Sequence, residues 1–278
     1  SGLNRPGERH GTKYTYTAPG YRLKYKDMKD YRNETGRKLE ILMEDKPTGL
    51  EVCSNIQFYD GISVIRSWTE LKNNGEEDLG VEYVSSFALL GIDKEGLLST
   101  DEKLEVLIAR NAWQKELIWN RFSMDQLGMS ISQPDKVRRS SQTISVGNTG
   151  NWSTKNYLPM GCLKNKETDS ILFWQIEQNG SWYWEISDQD GHMYLQLSGP
   201  TEHQSHWWKN LKPGDTFASV PVSVGSACGD VEEAAGELTK YRRAIRRKNE
   251  DNEKLPVIFN DYMNCLWGDP TTEKELPL

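Results

Sequence analysis

Three neighbouring side chains near the end of the 278-residue sequence could bind a polar ligand. Asn260, Asp261 and Tyr262 directly follow the apolar run 257–259, which has the composition of a short strand. In parallel α/β barrels, catalytic and substrate-binding groups lie on the loops that follow the C-terminal ends of the strands. Residue chemistry alone leaves two hypotheses equally open: these residues bind a substrate at a strand end, or Asp261 caps a turn over a packed Tyr262.

Few other residues have the spacing of a catalytic or metal site. The sequence has no GxSxG nucleophile motif, no HExxH motif and no GxxxxGK[ST] phosphate loop. His203 and His206 could share a metal ion, but a third ligand is not evident, so surface or half-buried polar roles are favoured. The four cysteines lack CxxC spacing, which favours reduced thiols over a zinc site or disulfides. We therefore predict no metal ion, no cofactor and no catalytic residue in this sequence.

Tryptophan is unusually frequent, with ten residues, and five of them lie close together. These five are Trp174, Trp182, Trp184, Trp207 and Trp208. Aromatic rings can stack on sugar rings, so a carbohydrate-binding sandwich is one interpretation. Large aromatic side chains also fill the interior between two sheets, and Trp182 and Trp184, two positions apart in a strand, point to the same face. We favour core packing.

The elements that must position these side chains are mostly short strands. In residues 50–92, an Asp-Gly pair at 60–61 and an Asn-Gly pair at 74–75 separate runs of alternating apolar and polar residues. The same pattern returns in residues 170–198, around the Asn-Gly pair at 179–180. Such pairs supply the positive φ that tight hairpin turns need, so the sequence predicts two antiparallel meanders.

A helix and a change of fold type follow the second meander. Asp230 and Glu233 can form a capping box, and apolar residues then recur every three or four positions, which predicts an amphipathic helix from Asp230 to about Arg247. Its basic end complements the helix dipole, an explanation that we favour over nucleic-acid binding. After a charged connector, the run 257–259 and the Asp269-Pro270 pair, a helix N-cap and first helical position, predict a β-to-α step.

The composition argues against several classes of partner. Lysine and arginine number 34 against 41 acidic residues, so the net charge of −7 gives no overall attraction to nucleic acid or anionic lipid. No run approaches the roughly 20 apolar residues that span a bilayer, and the start SGLNRPGERH lacks the pattern of a signal peptide. We expect a soluble, cytoplasmic protein without a nucleic-acid or membrane partner.

Several segments together resemble one family of enzymes. PVIFNDYMNCLWGDPTTEK is similar to the segment in which α-galactosidases of glycoside hydrolase family 36 pass from an N-terminal β-sandwich into the first strand of the catalytic barrel. Six upstream segments are similar to the N-terminal domain of that family, in the same order: VIRSWTELKNNG, SVGNTGNWSTKNYLPMG, WQIEQNGSWYWEIS, LSGPTEH, LKPGDTFASVPVSV and ELTKYRRAIRR. The resemblance extends from about Gly49 to the end of the sequence.

The resemblance implies a function that this chain cannot perform alone. Enzymes of the family hydrolyse terminal α-galactosides with retention, using an aspartate nucleophile and an aspartate acid/base on later barrel strands. Those strands are absent from the sequence, so we expect the chain to be an inactive N-terminal fragment of such an enzyme. The resemblance also implies that Asp261 and Tyr262 bind the substrate, an α-galactoside oligosaccharide, with Asn260 and Trp267 as further candidates.

The fold expected is mainly β: a large antiparallel β-sandwich, followed by a linker helix and a truncated start of a (β/α)8 barrel. We expect the sandwich in residues 1–229, the helix and its connector in 230–254, and the first barrel strand and helix start in 255–278. We also expect a homo-oligomer. The alternative function is an autonomous carbohydrate-binding or oligomerisation module.

Overall fold

The computed structural model describes residues 17–129, 131–133, 138–139, 142–189 and 192–258. The strands within these ranges are β1 (Lys24–Arg32), β2 (Arg37–Asp45), β3 (Leu50–Tyr59), β4 (Ile62–Asn73), β5 (Leu79–Val81), β6 (Ser85–Leu90), β7 (Leu104–Ala112), β8 (Lys115–Ser123), β9 (Ile131–Gln133), β10 (Arg138–Arg139), β11 (Ile144–Asn148), β12 (Tyr157–Asn165), β13 (Ser170–Ile176), β14 (Trp182–Gln189), β15 (His192–Ser198), β16 (Lys209–Leu211), β17 (Thr216–Ala218) and β18 (Val222–Cys228). The helices are α1 (Ala18–Arg22), α2 (Thr100–Lys103), α3 (Glu202–Ser205), α4 (Val231–Ile245) and α5 (Glu250–Lys254). In this part of the chain, no helix has the length and apolar character that crossing a membrane requires.

The strands form two principal antiparallel sheets. The larger sheet has the order β1-β2-β3-β4-β18-β13-β12-β7-β8, with β17 also paired to β4, and the smaller has the order β11-β14-β15-β6. Two further pairs, β9 with β10 and β5 with β16, stand apart from them. The predicted mainly antiparallel β-sandwich is therefore confirmed.

The predicted hairpin turns are only partly correct. Asp60 and Gly61 join the adjacent strands β3 and β4, and Gly61 has the expected positive φ of 74°. The Asn-Gly pairs at 74–75 and 179–180 instead carry the chain from one sheet to another, and neither Gly75 nor Gly180 has a positive φ. A crossing between sheets has no paired strands for a tight turn to join, so the prediction of a hairpin at these two pairs is wrong.

The tryptophans of the second meander fill the space between the two principal sheets. Trp174 on β13 and Trp184 on β14 meet edge to face across the sandwich, with their ring centroids 5.1 Å apart at 76°. Trp174, Trp182 and Trp184 are at most 1% exposed, so the preference for core packing is confirmed for these three. Trp207 instead packs at a sheet end against Phe217, and Trp208 is 64% exposed.

Two glycines leave room for large aromatic rings on the two opposite faces of β13. Gly161 on β12 is paired with Trp174, and a Cβ atom at Gly161 would lie 2.5 Å from the indole ring. Gly225 on β18 is paired with Phe173, and a Cβ there would lie 2.4 Å from that ring and 2.5 Å from the carbonyl oxygen of Ser63. Each large ring therefore occupies the volume that a neighbouring side chain would need.

A smaller apolar cluster lies beside this core. Val52 and Leu71 of β3 and β4 pack against Val81 of β5 and Leu211 of β16, so the short β5–β16 pair covers one end of the larger sheet. The outer edge of that sheet, β1, is exposed along its whole length, carries alternating charges and has a register shift between Tyr25 and Asp27. Charged and bulged edges resist the addition of further strands.

Helix α4 begins and ends close to the predicted positions. Glu233 accepts a hydrogen bond from the backbone N–H of Asp230 at 2.7 Å, which is one half of the predicted capping box. The helix buries Ala234, Leu238 and Tyr241. By its contacts, the chain divides into two compact units, residues 1–241 and 242–278, so most of α4 belongs with the sandwich.

A carboxylate fixes α4 on the larger sheet. Glu177, directly after β13, accepts hydrogen bonds from Arg66 of β4 at 2.9 and 2.6 Å and a further one from the hydroxyl of Tyr241. The Tyr241 ring also packs edge to face on Tyr59, with centroids 5.2 Å apart. Burial and the hydrogen bond to Glu177 hold the pKa of Tyr241 well above its ordinary value of 10.0. Tyr241 thus stays protonated and donates to the carboxylate.

We predict that Gly161→Ala lowers the free energy of unfolding by about 1–3 kcal/mol, because the added methyl group overlaps the Trp174 ring. Urea denaturation measures the effect. Gly80→Ala, in a strand position where nothing lies within 4 Å of the added atom, is the matched control. Equal stability of the two variants would contradict the close packing of Gly161 and Trp174.

We predict that Tyr241→Phe lowers the free energy of unfolding at pH 7 by about 2 kcal/mol, since Glu177 loses a buried donor. The folded state raises the Tyr241 pKa, so its contribution is complete below pH 10 and falls as the pH rises above the unfolded value of 10.0. The difference between wild type and variant should therefore shrink above pH 10. Urea denaturation at pH 7 to 11 tests this, and a difference that grows with pH would contradict it.

Candidate functional site

The four substrate-binding residues inferred from the sequence, Asn260, Asp261, Tyr262 and Trp267, lie outside the described residues and stay predictions. The described start of the predicted strand, residues 257 and 258, has no regular secondary structure. Val257 is 100% exposed and Ile258 is 85% exposed. The barrel start is thus not confirmed.

His203 and His206, the two histidines considered as metal ligands, lie in and at the end of the short helix α3. His203 is within the helix, and His206 is its C-cap residue with a φ of 52°. Among the residues that the structure describes, no group of three or more His, Cys, Asp or Glu side chains is placed to hold a metal ion. His203 instead lies on the rim of a large groove.

This groove, the outer groove, has a volume of about 900 Å³. Its described lining comes from the outer face of the smaller sheet, from β3–β5, and from α1 and α3. The smaller sheet contributes Ala88, Tyr183, Glu185 and Gln196. Because side chains alternate along a strand, these residues point away from the tryptophan core on the opposite face of the same strands. The volume lies in the upper part of the range of about 300–1,000 Å³ that is typical of ligand pockets.

A buried carboxylate lies at the base of the outer groove. Glu185 is 4% exposed, and its two oxygens accept hydrogen bonds from the hydroxyls of Tyr183, at 2.6 Å, and Tyr194, at 2.8 Å. Both tyrosines are themselves buried. Hydrogen bonds from two donors on adjacent strands fix the position of the carboxylate, which makes it a preorganised acceptor group.

Gln196 lies next to this carboxylate in the sheet. It is paired with Glu185 of β14 on one side and with Ala88 of β6 on the other. Gln196 is 2% exposed, and its Oε1 atom has no hydrogen-bond partner. A buried acceptor without a partner costs about 1–3 kcal/mol.

An ion pair holds α1 at the groove. Arg22, at the end of α1, donates from Nε to Asp45 Oδ1 at 3.1 Å and from Nη2 to Asp45 Oδ2 at 2.8 Å. Asp45 is buried and also accepts from the hydroxyl of Thr48 at 2.7 Å. The hydrogen bond from Arg22 is the main reason that the pKa of Asp45 lies below its ordinary value.

Sequence reasoning did not find the residues of the outer groove. The run WYWEIS and the run HMYLQLS alternate in character, and their polar positions include Tyr183, Glu185, Tyr194 and Gln196. Alternation predicts two faces but assigns the polar one to solvent. Only the pairing of β14 with β15 brings Glu185 and Gln196 side by side. A short stretch of sequence does not show which residues of two strands are paired.

Comparisons with known proteins give a fold relationship. No protein-family model matches the sequence, and no curated protein matches it significantly. The structure is similar to that of AgaB, an α-galactosidase of glycoside hydrolase family 36 from Geobacillus stearothermophilus, with a TM-score of 0.69 and 16% identity over 86% of this chain and 32% of that one.

Two other solved structures of α-galactosidases are also similar in fold to this chain. A variant of AgaA from the same organism, in complex with stachyose, has a TM-score of 0.68 and 17% identity over 84% of this chain and 32% of that one. An α-galactosidase from Lactobacillus brevis has a TM-score of 0.63 and 14% identity over 80% of this chain and 29% of that one. The chain thus shares a fold with part of these enzymes and spans about a third of their length.

We predict that Asp45→Asn lowers the melting temperature at neutral pH, because the buried partner of Arg22 loses its charge. The folded state lowers the pKa of Asp45, so the carboxylate stabilises the fold above the ordinary value of 3.8 and loses this effect as the pH falls through the folded value. The gap between wild type and variant should close at acid pH. Melting curves from pH 7 to pH 3 test this, and Asp60→Asn, in an exposed ion pair, is the control.

Proposed function

We propose that this chain is the N-terminal region of an α-galactosidase of glycoside hydrolase family 36, and that the longer enzyme hydrolyses terminal α-galactosides with retention. The observation that carries the proposal is the fold likeness over more than four-fifths of the chain, together with the ordered sequence segments that resemble the same family. Two variants of one similar enzyme have been solved, one in complex with stachyose and the other in complex with raffinose. We infer α-galactoside oligosaccharides of this kind as the substrates.

The same proposal divides the chain into three parts. Residues 1–229 form the scaffold, residues 230–254 form the linker, and residues 255–278 begin the catalytic barrel. Helix α4 leaves β18 after a turn of two residues and is fixed by Glu177 and Tyr241, which gives the chain a defined exit from the sandwich. In this proposal, the catalytic aspartates lie beyond Leu278, and the 278 residues alone are inactive.

Further features of the longer enzyme belong to the same proposal. Asp261 and Tyr262, with Asn260 and Trp267, hold the galactosyl group after the first barrel strand. The enzyme is cytoplasmic and homo-oligomeric. The alternative is an autonomous carbohydrate-binding or oligomerisation module. The exposed indoles of Trp113, Trp152 and Trp208 support its carbohydrate-binding form.

We predict no release of p-nitrophenol from p-nitrophenyl α-galactoside by the 278-residue chain, and turnover by the full-length protein that contains it. In the full-length protein, Asp261→Asn should lower kcat/KM by about 10- to 100-fold, since a charged hydrogen bond to the substrate is worth about 1.5–3 kcal/mol.

Asp269→Asn is the matched control, because the sequence assigns this nearby aspartate to a helix N-cap rather than to the substrate. It should leave both the stability and kcat/KM close to those of the wild type, because asparagine is an equally good N-cap residue. A full-length protein that is inert on all α-galactosides would refute the proposed function, and equal effects of the two variants would refute the role of Asp261.

A further inference from the structure

The outer groove contains polar groups that the packing of the sandwich does not require. The inner face of the smaller sheet is already occupied by the tryptophan core, so the outer face could consist of ordinary solvated side chains. Instead, Glu185 and Gln196 are desolvated at the base of a groove of about 900 Å³. Burial of a carboxylate and an amide is unfavourable unless other groups bind them.

The state of Gln196 indicates that a ligand completes the site. The two oxygens of Glu185 accept hydrogen bonds from Tyr183 and Tyr194, but the Oε1 atom of Gln196 accepts none. Gln196 lines the groove, but its Oε1 atom is covered in the free protein, so the amide must turn toward the groove for a bound molecule to donate to this oxygen. A group that is unfavourable in the free protein and satisfied in a complex adds its full hydrogen-bond energy to binding.

The chemistry of the lining selects the class of ligand. The oxygens of Glu185 and Gln196 are acceptors, so the ligand must supply donors. An anion is disfavoured, because Glu185 and Glu202 face the groove and the guanidinium of Arg22 is engaged in its pair with Asp45. The opposite side contains the aliphatic side chains of Leu71 and Val81, which suit the CH faces of a polyhydroxylated ring.

We propose that the outer groove is a binding site for a neutral saccharide, in which Gln196 accepts a hydrogen bond from a ligand hydroxyl beside the fixed Glu185 carboxylate. The site lies wholly within the sandwich and does not depend on the proposed hydrolase function. Failure to bind sugar would leave the α-galactosidase proposal standing. An inert full-length enzyme would likewise leave the groove as a binding site.

The test is titration calorimetry of the 278-residue chain with raffinose and stachyose. We expect saturable binding, and about fivefold weaker binding by Gln196→Met, which keeps the length of the side chain and removes its acceptor. The melting temperature of this variant should be unchanged or higher, because it also removes a buried unpaired oxygen. A purely structural role for Gln196 would lower it instead.

Two control variants separate the groove from other surfaces. Gln178→Met makes the same chemical change at a glutamine that does not line the groove, and it should bind as the wild type does. Trp208→Ala removes an exposed indole and should also leave the affinity unchanged. Loss of binding in Trp208→Ala with retention in Gln196→Met would overturn the proposal in favour of a tryptophan platform.

A measurement on the wild type makes the test independent of the folding of any variant. In a ¹H–¹⁵N spectrum, raffinose should shift the side-chain amide resonances of Gln196 and leave those of Gln178 in place. The proposal is overturned if neither sugar binds at tens of millimolar, or if the Gln196 resonances do not move. It is also overturned if inorganic phosphate or ethylamine binds there more tightly than the sugars.

Discussion

The packing of large aromatic rings between two antiparallel sheets is the constraint on which the structure depends. Trp174 and Trp184 meet across the sandwich, and the absence of a side chain at Gly161 leaves room for the first of them. An edge-to-face pair adds about 0.5–1.5 kcal/mol to the effect of burial, and the buried area of each ring contributes more. Because the inner faces are filled in this way, polar chemistry in the sandwich is confined to its outer faces and edges. The outer groove lies on an outer face, and so does the contact of α4 with Glu177 and Arg66.

The sequence predicts local features of this fold well. Apolar alternation and turn residues identify an antiparallel β-protein, the spacing of Trp182 and Trp184 places both on one face, and the pattern after Asp230 predicts α4 to within about two residues. These features depend on chain neighbours, whose effects are visible in any short window. The aromatic residues lie in the core because few other side chains bury so much apolar surface.

The sequence does not predict which sheet a strand joins. The Asn-Gly pair at 179–180 has the composition of a hairpin turn, yet β13 and β14 belong to different sheets, because β13 pairs with β12 and β18. The base of the outer groove likewise depends on which strands pair with each other. Glu185 and Gln196 are adjacent only through the register of β14 and β15, and burial of a carboxylate on an outer face contradicts the ordinary assignment of polar residues to solvent. Such departures from local rules are most informative about function.

The attachment of α4 to the larger sheet through Tyr241 has a mechanical consequence. Glu177 follows β13, and Arg66 belongs to β4, so the hydroxyl of Tyr241 is tied to two strands in the interior of the larger sheet, on either side of β18, rather than to an edge. Tension on the chain beyond Tyr241 is therefore transmitted to two interior strands and not to one edge strand, so pulling α4 off the sheet requires that the contacts to both strands break.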